Sequence, residues 1–275
     1  MRIDAHQHFW GFNTQRDAWI TDDMAVIRRD FLPADLQPLL QSSAFDGCVA
    51  VQADQSEEET CFLLDHANRH GFIKGVVGWA DLRAQDLEAR LEKWSDEKKL
   101  KGFRHILQAE EPAFMLEPHF LRGLSILGKS GYTYDILVYP HHLKAVEKIL
   151  GLLDNQSFVI DHIGKPNIKS GQIKDWERDI RKVAQFPNVY CKVSGLVTEA
   201  SLSDWKPEDI HPYLEVVLSA FGSERLMYGS DWPVCLLAAS YKRQLEVVES
   251  FFSRLSAVEQ NQIMGLNAVD FYQLV

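Results

Sequence analysis

Short apolar runs alternate with longer amphipathic stretches along the whole chain. Each run is rich in β-branched or aromatic residues and is bounded by Gly, Asp, Asn or Pro, as strands are. The eight runs cover residues 2–8, 47–53, 73–80, 100–106, 132–138, 157–163, 189–195 and 225–231. Between the runs, apolar residues recur at three- and four-residue spacing, as at Leu36, Leu39 and Leu40. This spacing is typical of amphipathic helices, so the pattern predicts eight strands alternating with eight helices.

One helix also carries its own start and stop signals. Ser56 stands where an N-cap belongs, Glu59 follows three residues later at the capping-box position, and Gly71 comes after the last helical residue. Ser at the N-cap with Glu three residues on satisfies two backbone donors, and Gly suits the residue after a helix. We therefore predict a helix between Ser56 and Gly71.

Regular alternation of strands and helices indicates parallel β/α units, and near-continuous apolar strands fit a sheet covered by helices. With 275 residues, a closed (β/α)8 TIM barrel is the simplest arrangement. The alternative is an open doubly wound sheet, but no G-x-G-x-x-G follows any strand and no P-loop is present. The chain shows no repeat, linker or low-complexity tract, so we predict one domain over residues 1–275. The loop over 9–31 contains Trp10, Phe12 and Trp19 and is expected to be a lid or a wall of an active site.

Composition narrows the range of partners. The chain has 39 acidic and 29 basic residues and a formal net charge of −10, which argues against nucleic acid and anionic membranes as partners. The four cysteines form no C-x-x-C pair and are interpreted as reduced thiols. The N-terminus lacks a signal-peptide pattern, and no apolar run approaches the ~18 residues of a membrane span. We therefore expect a cytoplasmic protein.

Ionisable and other functional side chains collect at the ends of the predicted strands, where barrel enzymes place their active sites. They are His6 and His8 (strand one), Arg104 and His105 (four), Asp135, then Tyr139, His141 and His142 (five), Asp161, His162 and Lys165 (six), Lys192 and Ser194 (seven), and Asp231, then Trp232 (eight). Each also has a structural interpretation. A lone histidine is usually hydrogen-bonded, and Asp231 could cap a turn. Arg104 could form a structural ion pair, and Lys192 could form an ion pair across the barrel mouth. One of His141 and His142 is expected to be solvated, and the sequence does not say which.

Several motifs occur in an order that resembles a known family. They are H-x-H in IDAHQHFW, then GFRHIL, FVIDHIGKP, VYCKVSGL and MYGSDWPV. This set resembles the metal-dependent hydrolase (amidohydrolase) superfamily, and within it the amidohydrolase-related L-fuconolactonase and L-rhamnonolactonase group. The resemblance implies a (β/α)8 barrel with His6, His8, His162 and Asp231 as catalytic residues around one cavity.

The same resemblance bears on metal content. Binuclear members of the superfamily have a carboxylated Lys or a Glu on strand four and a His on strand five, whereas this chain has Arg104-His105 and Asp135 there. A two-metal site is therefore not expected. The resemblance implies at most one Zn²⁺, held by His6, His8 and Asp231 or His162, or no required metal at all.

The implied function is a lactonase that opens a small sugar-acid lactone. Asp231 would take a proton from water, which a carboxylate can do if burial or a nearby carbonyl oxygen raises its pKa. His6, His8 and His162, with or without zinc, would polarise the lactone carbonyl. The expected substrate-binding residues are Arg104, His105, Tyr139, His141 and Trp232. The alternatives are a zinc-dependent decarboxylase, or another amidohydrolase-type hydrolase of a small carboxylate, and a catalytically silent sugar-acid-binding protein. The oligomeric state is left open.

Overall fold

The structure is a computed structural model that describes residues 1–275. Its strands are β1 Ile3–Gln7, β2 Gly47–Val51, β3 Ile73–Gly78, β4 Leu100–His105, β5 Thr133–Ile136, β6 Phe158–Ile160, β7 Val189–Val193 and β8 Leu226–Tyr228. Its helices are α1 Pro33–Ser42, α2 Glu57–Arg69, α3 Leu87–Glu92, α4 Pro118–Lys129, α5 Leu143–Leu152, α6 Lys174–Val183, α7 Leu196–Glu199, α8 Pro207–Phe221, α9 Tyr241–Phe252, α10 Ala257–Asn261 and α11 Asn267–Tyr272. None of these helices combines the length and apolar character that crossing a bilayer requires.

All eight strands run parallel, and each pairs with the next along the chain from β1 to β8. The sheet then curls round so that the first and last strands meet. The junction is made beyond the end of β8, where Asp231 N–H donates to His6 O (2.8 Å) and His8 N–H donates to Trp232 O (2.7 Å). The predicted (β/α)8 barrel is therefore confirmed, and candidate site residues form its closing seam.

Alternate strand residues face the two sides of the barrel wall, as strand geometry requires. On β2, Cys48 and Ala50 pack outward into the large apolar core beneath the helices. Val49 and Val51 point inward, into a smaller apolar cluster that fills the lower barrel. That cluster includes Tyr272 from α11, so the last helix closes the floor of the barrel and leaves the strand ends open above.

The predicted strands all form, but those that lead into the site are shorter than the apolar runs suggested. β6 and β8 have only three residues each. Beyond them, His162 (φ 52°) and Asp231 (φ 55°) have left-handed backbone, a conformation that no extended strand accommodates. The two side chains therefore stand on turns at the barrel mouth.

Candidate active site

Four predicted catalytic side chains meet at the barrel mouth: His6, His8, His162 and Asp231. The Nε2 atoms of His6 and His8 are 3.2 Å apart. Asp231 Oδ1 lies 3.4 Å from His8 Nε2 and 3.9 Å from Nε2 of both His6 and His162. All four residues are buried, so the structure brings the predicted constellation together around one point.

His6 and His8 reach this point because β1 is irregular. Between the pairs Asp4–Cys48 and Gln7–Ala50, β1 advances three residues while β2 advances two. An extra residue of this kind is a β-bulge, which redirects the following side chains. The backbone of β8 also comes close, because a Cβ placed on Gly229 would lie 2.5 Å from His6 Cβ. The position of His6 thus depends on a bulge and on Gly229, the residue directly after β8.

His162 stands on a strained turn. His162, Ile163 and Lys165 all have φ between 47° and 52°, which is an outlier conformation for a β-branched residue such as Ile163. Trp176 Nε1–H donates to Ile163 O (2.9 Å), and Ser194 Oγ lies 2.9 Å from His162 Nδ1. Strained backbone persists only where its surroundings hold it: the Trp176 hydrogen bond holds the turn, and the Ser194 contact orients the His162 ring.

His8 has a well-defined hydrogen-bonding state. Its Nδ1 lies 2.8 Å from Val51 O, and a carbonyl oxygen only accepts, so Nδ1 carries the proton. The lone pair on Nε2 therefore points at His6 and Asp231. With Nδ1 protonated, a neutral His8 has no proton on Nε2 to donate to a substrate carbonyl, but that atom is free to bind a metal ion.

The cluster fits a single metal ion. Two nitrogen lone pairs 3.2 Å apart repel each other unless a proton or a cation lies between them. Ligands of a tetrahedral zinc site with Zn–N distances of about 2.0–2.1 Å lie about 3.3 Å apart, close to the spacing of His6 and His8. The donor atoms of His6, His8 and Asp231 all lie within 4.8 Å of one another. Two imidazoles and a carboxylate, with a hydrogen bond fixing His8 from behind, form a suitable donor set.

A second group of potential ligands, His6, Asp161 and His162, is geometrically close but is already neutralised by the protein. Asp161 Oδ2 accepts from Arg104 Nη1 (3.0 Å), and its Oδ1 lies 3.1 Å from Lys192 Nζ. Both cations are buried. Because buried cations already neutralise this carboxylate, the second group is a less suitable metal site than His6, His8 and Asp231.

The ion pairs of Asp161 with Arg104 and Lys192 belong to a buried network that extends beneath the site. Lys192 also pairs with Asp135, whose carboxylate accepts from Tyr272 Oη at 2.8 and 3.0 Å. Arg104 Nη1 additionally approaches His6 Nε2 (3.3 Å), so metal binding at His6 would displace this contact. The ion-pair interpretation of Arg104 and Lys192 is therefore seen in the structure, inside the barrel rather than across its rim.

Burial and neighbouring groups set the protonation states. Burial alone would raise the pKa of Asp231, but interactions with His162, His8 and His6 outweigh it and hold the pKa well below the usual range. The raised pKa that would make Asp231 a strong general base is therefore absent, and the carboxylate is ionised at neutral pH. Burial lowers the pKa of His162 to about 4, so its imidazole is neutral there.

A cavity of about 390 Å³ opens above the cluster. Its polar lining consists of His8, Gln55, Arg104, Gln108, His162, Lys165 and Asp231. Its apolar lining consists of Trp10, Trp19, Ala53, Ile106, Ala109, Leu137 and Val234. The two tryptophans come from the loop over 9–31, so this loop forms a wall of the cavity. A half-polar, half-apolar cavity of this size suits a small hydroxylated ring.

Four expected substrate-binding residues lie outside this lining. His105 follows inward-facing Arg104 on β4, so it points the other way, where it contacts Glu110 (3.1 Å) and stacks on Phe114. Trp232 packs edge-on against Phe31, within the base of the loop. The position of His105 results from the alternation of side chains along β4, and that of Trp232 follows from the left-handed turn at Asp231.

Tyr139 and His141 lie beside the cavity rather than in it. Tyr139 is about one-third exposed and stacks with His141, which is exposed. His142 is the buried member of the histidine pair, and its Nε2 lies 2.9 Å from Glu110 O. His141 is thus the solvated one, and His142 has a structural role.

Lys165, Gln55 and Gln108 also line the cavity, although none of them was among the expected substrate-binding residues. Lys165 carried a signal, since it follows the sixth strand directly. Gln108 lies in a short turn after β4 and Gln55 lies in the loop after β2. No motif or periodicity marked either of the two glutamines.

Comparisons with known proteins agree with this geometry. The model of the family described as Amidohydrolase matches residues 3–274. An L-fucono-1,5-lactonase of Burkholderia multivorans is 42% identical over 289 residues, covering 100% of this chain and 96% of that protein. An L-fucono-1,5-lactonase of Burkholderia ambifaria is 36% identical, covering 99% and 96%. A crystal structure of an amidohydrolase from Burkholderia multivorans with bound zinc superimposes with a TM-score of 0.97 at 42% identity, over 100% of both chains.

Proposed function

The chain belongs to the amidohydrolase family, and from that premise we propose that it hydrolyses a sugar-acid lactone, with L-fucono-1,5-lactone as the first candidate substrate. One observation carries the proposal: His8, His162 and Asp231 converge on a cavity of about 390 Å³. The full-length similarity to two L-fucono-1,5-lactonases supports it. Those relatives do not favour the decarboxylase alternative.

Asp231 is the water-orienting and proton-accepting group. Its ionised carboxylate lines the cavity and can accept a hydrogen bond from the attacking water. Because its pKa is held low, it is a weak base, so it orients the water more strongly than it retains the proton.

His162 is the residue suited to the lactone carbonyl. Ser194 Oγ faces its Nδ1 at 2.9 Å; when that hydroxyl donates, the proton lies on Nε2, on the cavity side. A neutral, preorganised donor there would stabilise the oxyanion that forms when water adds, an effect worth about 3 kcal/mol per donor. His6, which does not line the cavity, acts through its contacts with His8 and Asp161.

We propose Zn²⁺ as the metal that the cluster binds, with His6 Nε2, His8 Nε2 and Asp231 Oδ1 as its ligands. When bound, zinc supplies a Lewis acid and lowers the pKa of a bound water. The remaining contacts with the neutral lactone are assigned to the cavity lining, where Trp10 and Trp19 offer flat apolar faces to the C–H groups of the sugar.

The test is direct. The purified protein is incubated with a panel of aldonolactones and with aromatic carboxylates, before and after chelation, while acid release and metal content are measured. We expect hydrolysis of at least one 1,5-lactone and at most one zinc per chain. No lactone hydrolysis with either preparation, or decarboxylation of an aromatic acid in its place, would overturn the proposal.

The role of Asp231 is tested by Asp231→Asn. We expect kcat to fall by about three orders of magnitude, because the amide no longer takes a proton from water. Asp154→Asn, which removes an exposed carboxylate, is the matched control and should leave kcat unchanged. Near-normal turnover by Asp231→Asn in protein with an unaltered unfolding curve would contradict the role.

A further inference from the structure

Lys165 places an ammonium group at the wall of the cavity. The residue follows the strained turn that carries His162, and its own backbone is left-handed (φ 47°). Its Nζ lies 3.1 Å from Gln108 Oε1 and 3.2 Å from Glu199 Oε1. The side chain is only 18% exposed, so this charge is held inside the site rather than in solvent.

The two cations of the cavity differ in the donors that they have free. The Arg104 guanidinium is engaged on every nitrogen, with Nε and Nη2 bonded to Gln52 and Nη1 bonded to Asp161. The ammonium of Lys165 has three N–H groups, of which Gln108 and Glu199 accept two. The Tyr139 ring centroid lies 5.1 Å from the same Nζ, a weaker contact than a hydrogen bond, so no oxygen or nitrogen acceptor takes the third N–H. Lys165 is therefore the cavity cation with a donor available to a ligand.

Lactone hydrolysis changes the charge of the bound molecule. The water oxygen bonds to the carbonyl carbon, the ring C–O bond breaks, and the ring oxygen leaves with a proton as a hydroxyl group. The resulting acid releases one proton to solvent, so a neutral lactone and water give an anionic carboxylate and H⁺. A cation at the wall therefore discriminates between substrate and product.

Resting on the proposed lactonase function, we propose that Lys165 binds the carboxylate created by ring opening and that Glu199 limits the strength of that binding. Glu199 is 19% exposed and already pairs with Lys165. It neutralises the ammonium when the cavity holds a neutral lactone, and it competes with the product carboxylate for the same N–H groups. Product is thus recognised without being retained.

The two residues predict opposite effects on product inhibition. In Lys165→Met the inhibition constant of the product aldonate rises about tenfold or more, because a charge-assisted hydrogen bond is lost. In Glu199→Gln the inhibition constant of the product falls about threefold or more, and kcat falls because product release slows. The KM for the neutral lactone stays within about twofold in both variants. A structural role alone would not move the two inhibition constants in opposite directions.

Lys169→Met is the matched control, since Lys169 is an exposed lysine four residues along the same segment and its loss changes net charge equally. We expect the product inhibition constant of Lys169→Met to equal that of the unaltered protein. Thermal unfolding of each variant verifies folding, and calorimetric titration with the aldonate gives product affinity independently of turnover. This inference alone would be overturned if both Lys165→Met and Glu199→Gln hydrolysed lactone normally and kept the product inhibition constant of the unaltered protein. An unaltered protein that hydrolyses no lactone would overturn the proposed function, and this inference with it.

Discussion

Single residues of the site are positioned by close backbone approach. A Cβ on Gly229 would lie 2.5 Å from His6 Cβ, and a Cβ on Gly195 would lie 2.6 Å from His162 Nδ1. Real Cβ contacts are never this short, so larger residues at either place would push an imidazole away from Asp231. Site geometry thus depends on residues that carry no functional group.

Gly229→Ala tests this dependence. We expect kcat/KM to fall at least tenfold and the free energy of unfolding to fall by about 1–3 kcal/mol, because overpacking displaces His6. Gly71→Ala is the control, since nothing lies within 4 Å of a Cβ there, and its kcat/KM should match that of the unaltered protein. Retention of full kcat/KM by Gly229→Ala would show that His6 tolerates displacement.

Motif order and strand-end position were sufficient to predict that His6, His8, His162 and Asp231 would meet. They were not sufficient for Arg104 and His105, which are adjacent in the chain but face opposite sides of β4. Side-chain direction depends on strand register and bulges, which come from pairing with other strands. The pKa of Asp231 could not be predicted from the sequence for a similar reason, since three histidines distant in the sequence lower it.

At the scale of elements, helix α2 begins as its sequence predicts, because Ser56 Oγ accepts from Glu59 N–H (3.1 Å). The Glu59 carboxylate, however, does not return to the Ser56 backbone as in a capping box. It accepts from Ala53 N–H (3.1 Å), at the end of the loop that contributes to the cavity wall. Burial there raises the pKa of Glu59 to about 7 from the ordinary value of 4.5.

This shift predicts a pH dependence of stability. Between about pH 4.5 and 7 the native state binds more protons at Glu59 than the unfolded chain, so the free energy of unfolding decreases as pH rises through that window. From pH 5 to pH 8 we expect a loss of roughly 1–3 kcal/mol that Glu59→Gln abolishes. Urea unfolding at several pH values measures it, with Glu58→Gln, at an exposed neighbour, as the control. Parallel pH profiles for the unaltered protein and Glu59→Gln would contradict the prediction.

At the scale of the whole molecule, the two ends of the chain meet inside the barrel. β1 supplies His6, and α11 closes the floor with Tyr272, whose hydroxyl donates to Asp135. Asp135 pairs with Lys192, and Lys192 Nζ lies 3.1 Å from His6 Nδ1. A continuous buried network therefore connects the C-terminal helix to the site.

Tyr272→Phe interrupts this network at its lower end. We expect the free energy of unfolding to fall by about 2 kcal/mol, the magnitude typical of a lost hydrogen bond to a charged group, because Asp135 stays buried with fewer donors. Urea unfolding measures the loss. Tyr190→Phe is the matched control, since Tyr190 packs on Phe271 nearby (ring centroids 4.9 Å apart) but takes no part in the network. Equal stability of the two variants would refute the contribution of Tyr272.

The sequence by itself determined the parallel barrel, the family and the four residues at its mouth, because local hydrophobic periodicity and ordered motifs encode strands, helices and strand ends. Only the tertiary structure decided which strand-end side chains face inward, that protein cations neutralise Asp161, that Asp231 is held ionised, and that Lys165 has a free donor. Those properties depend on distances between residues far apart in the chain, which local patterns do not specify.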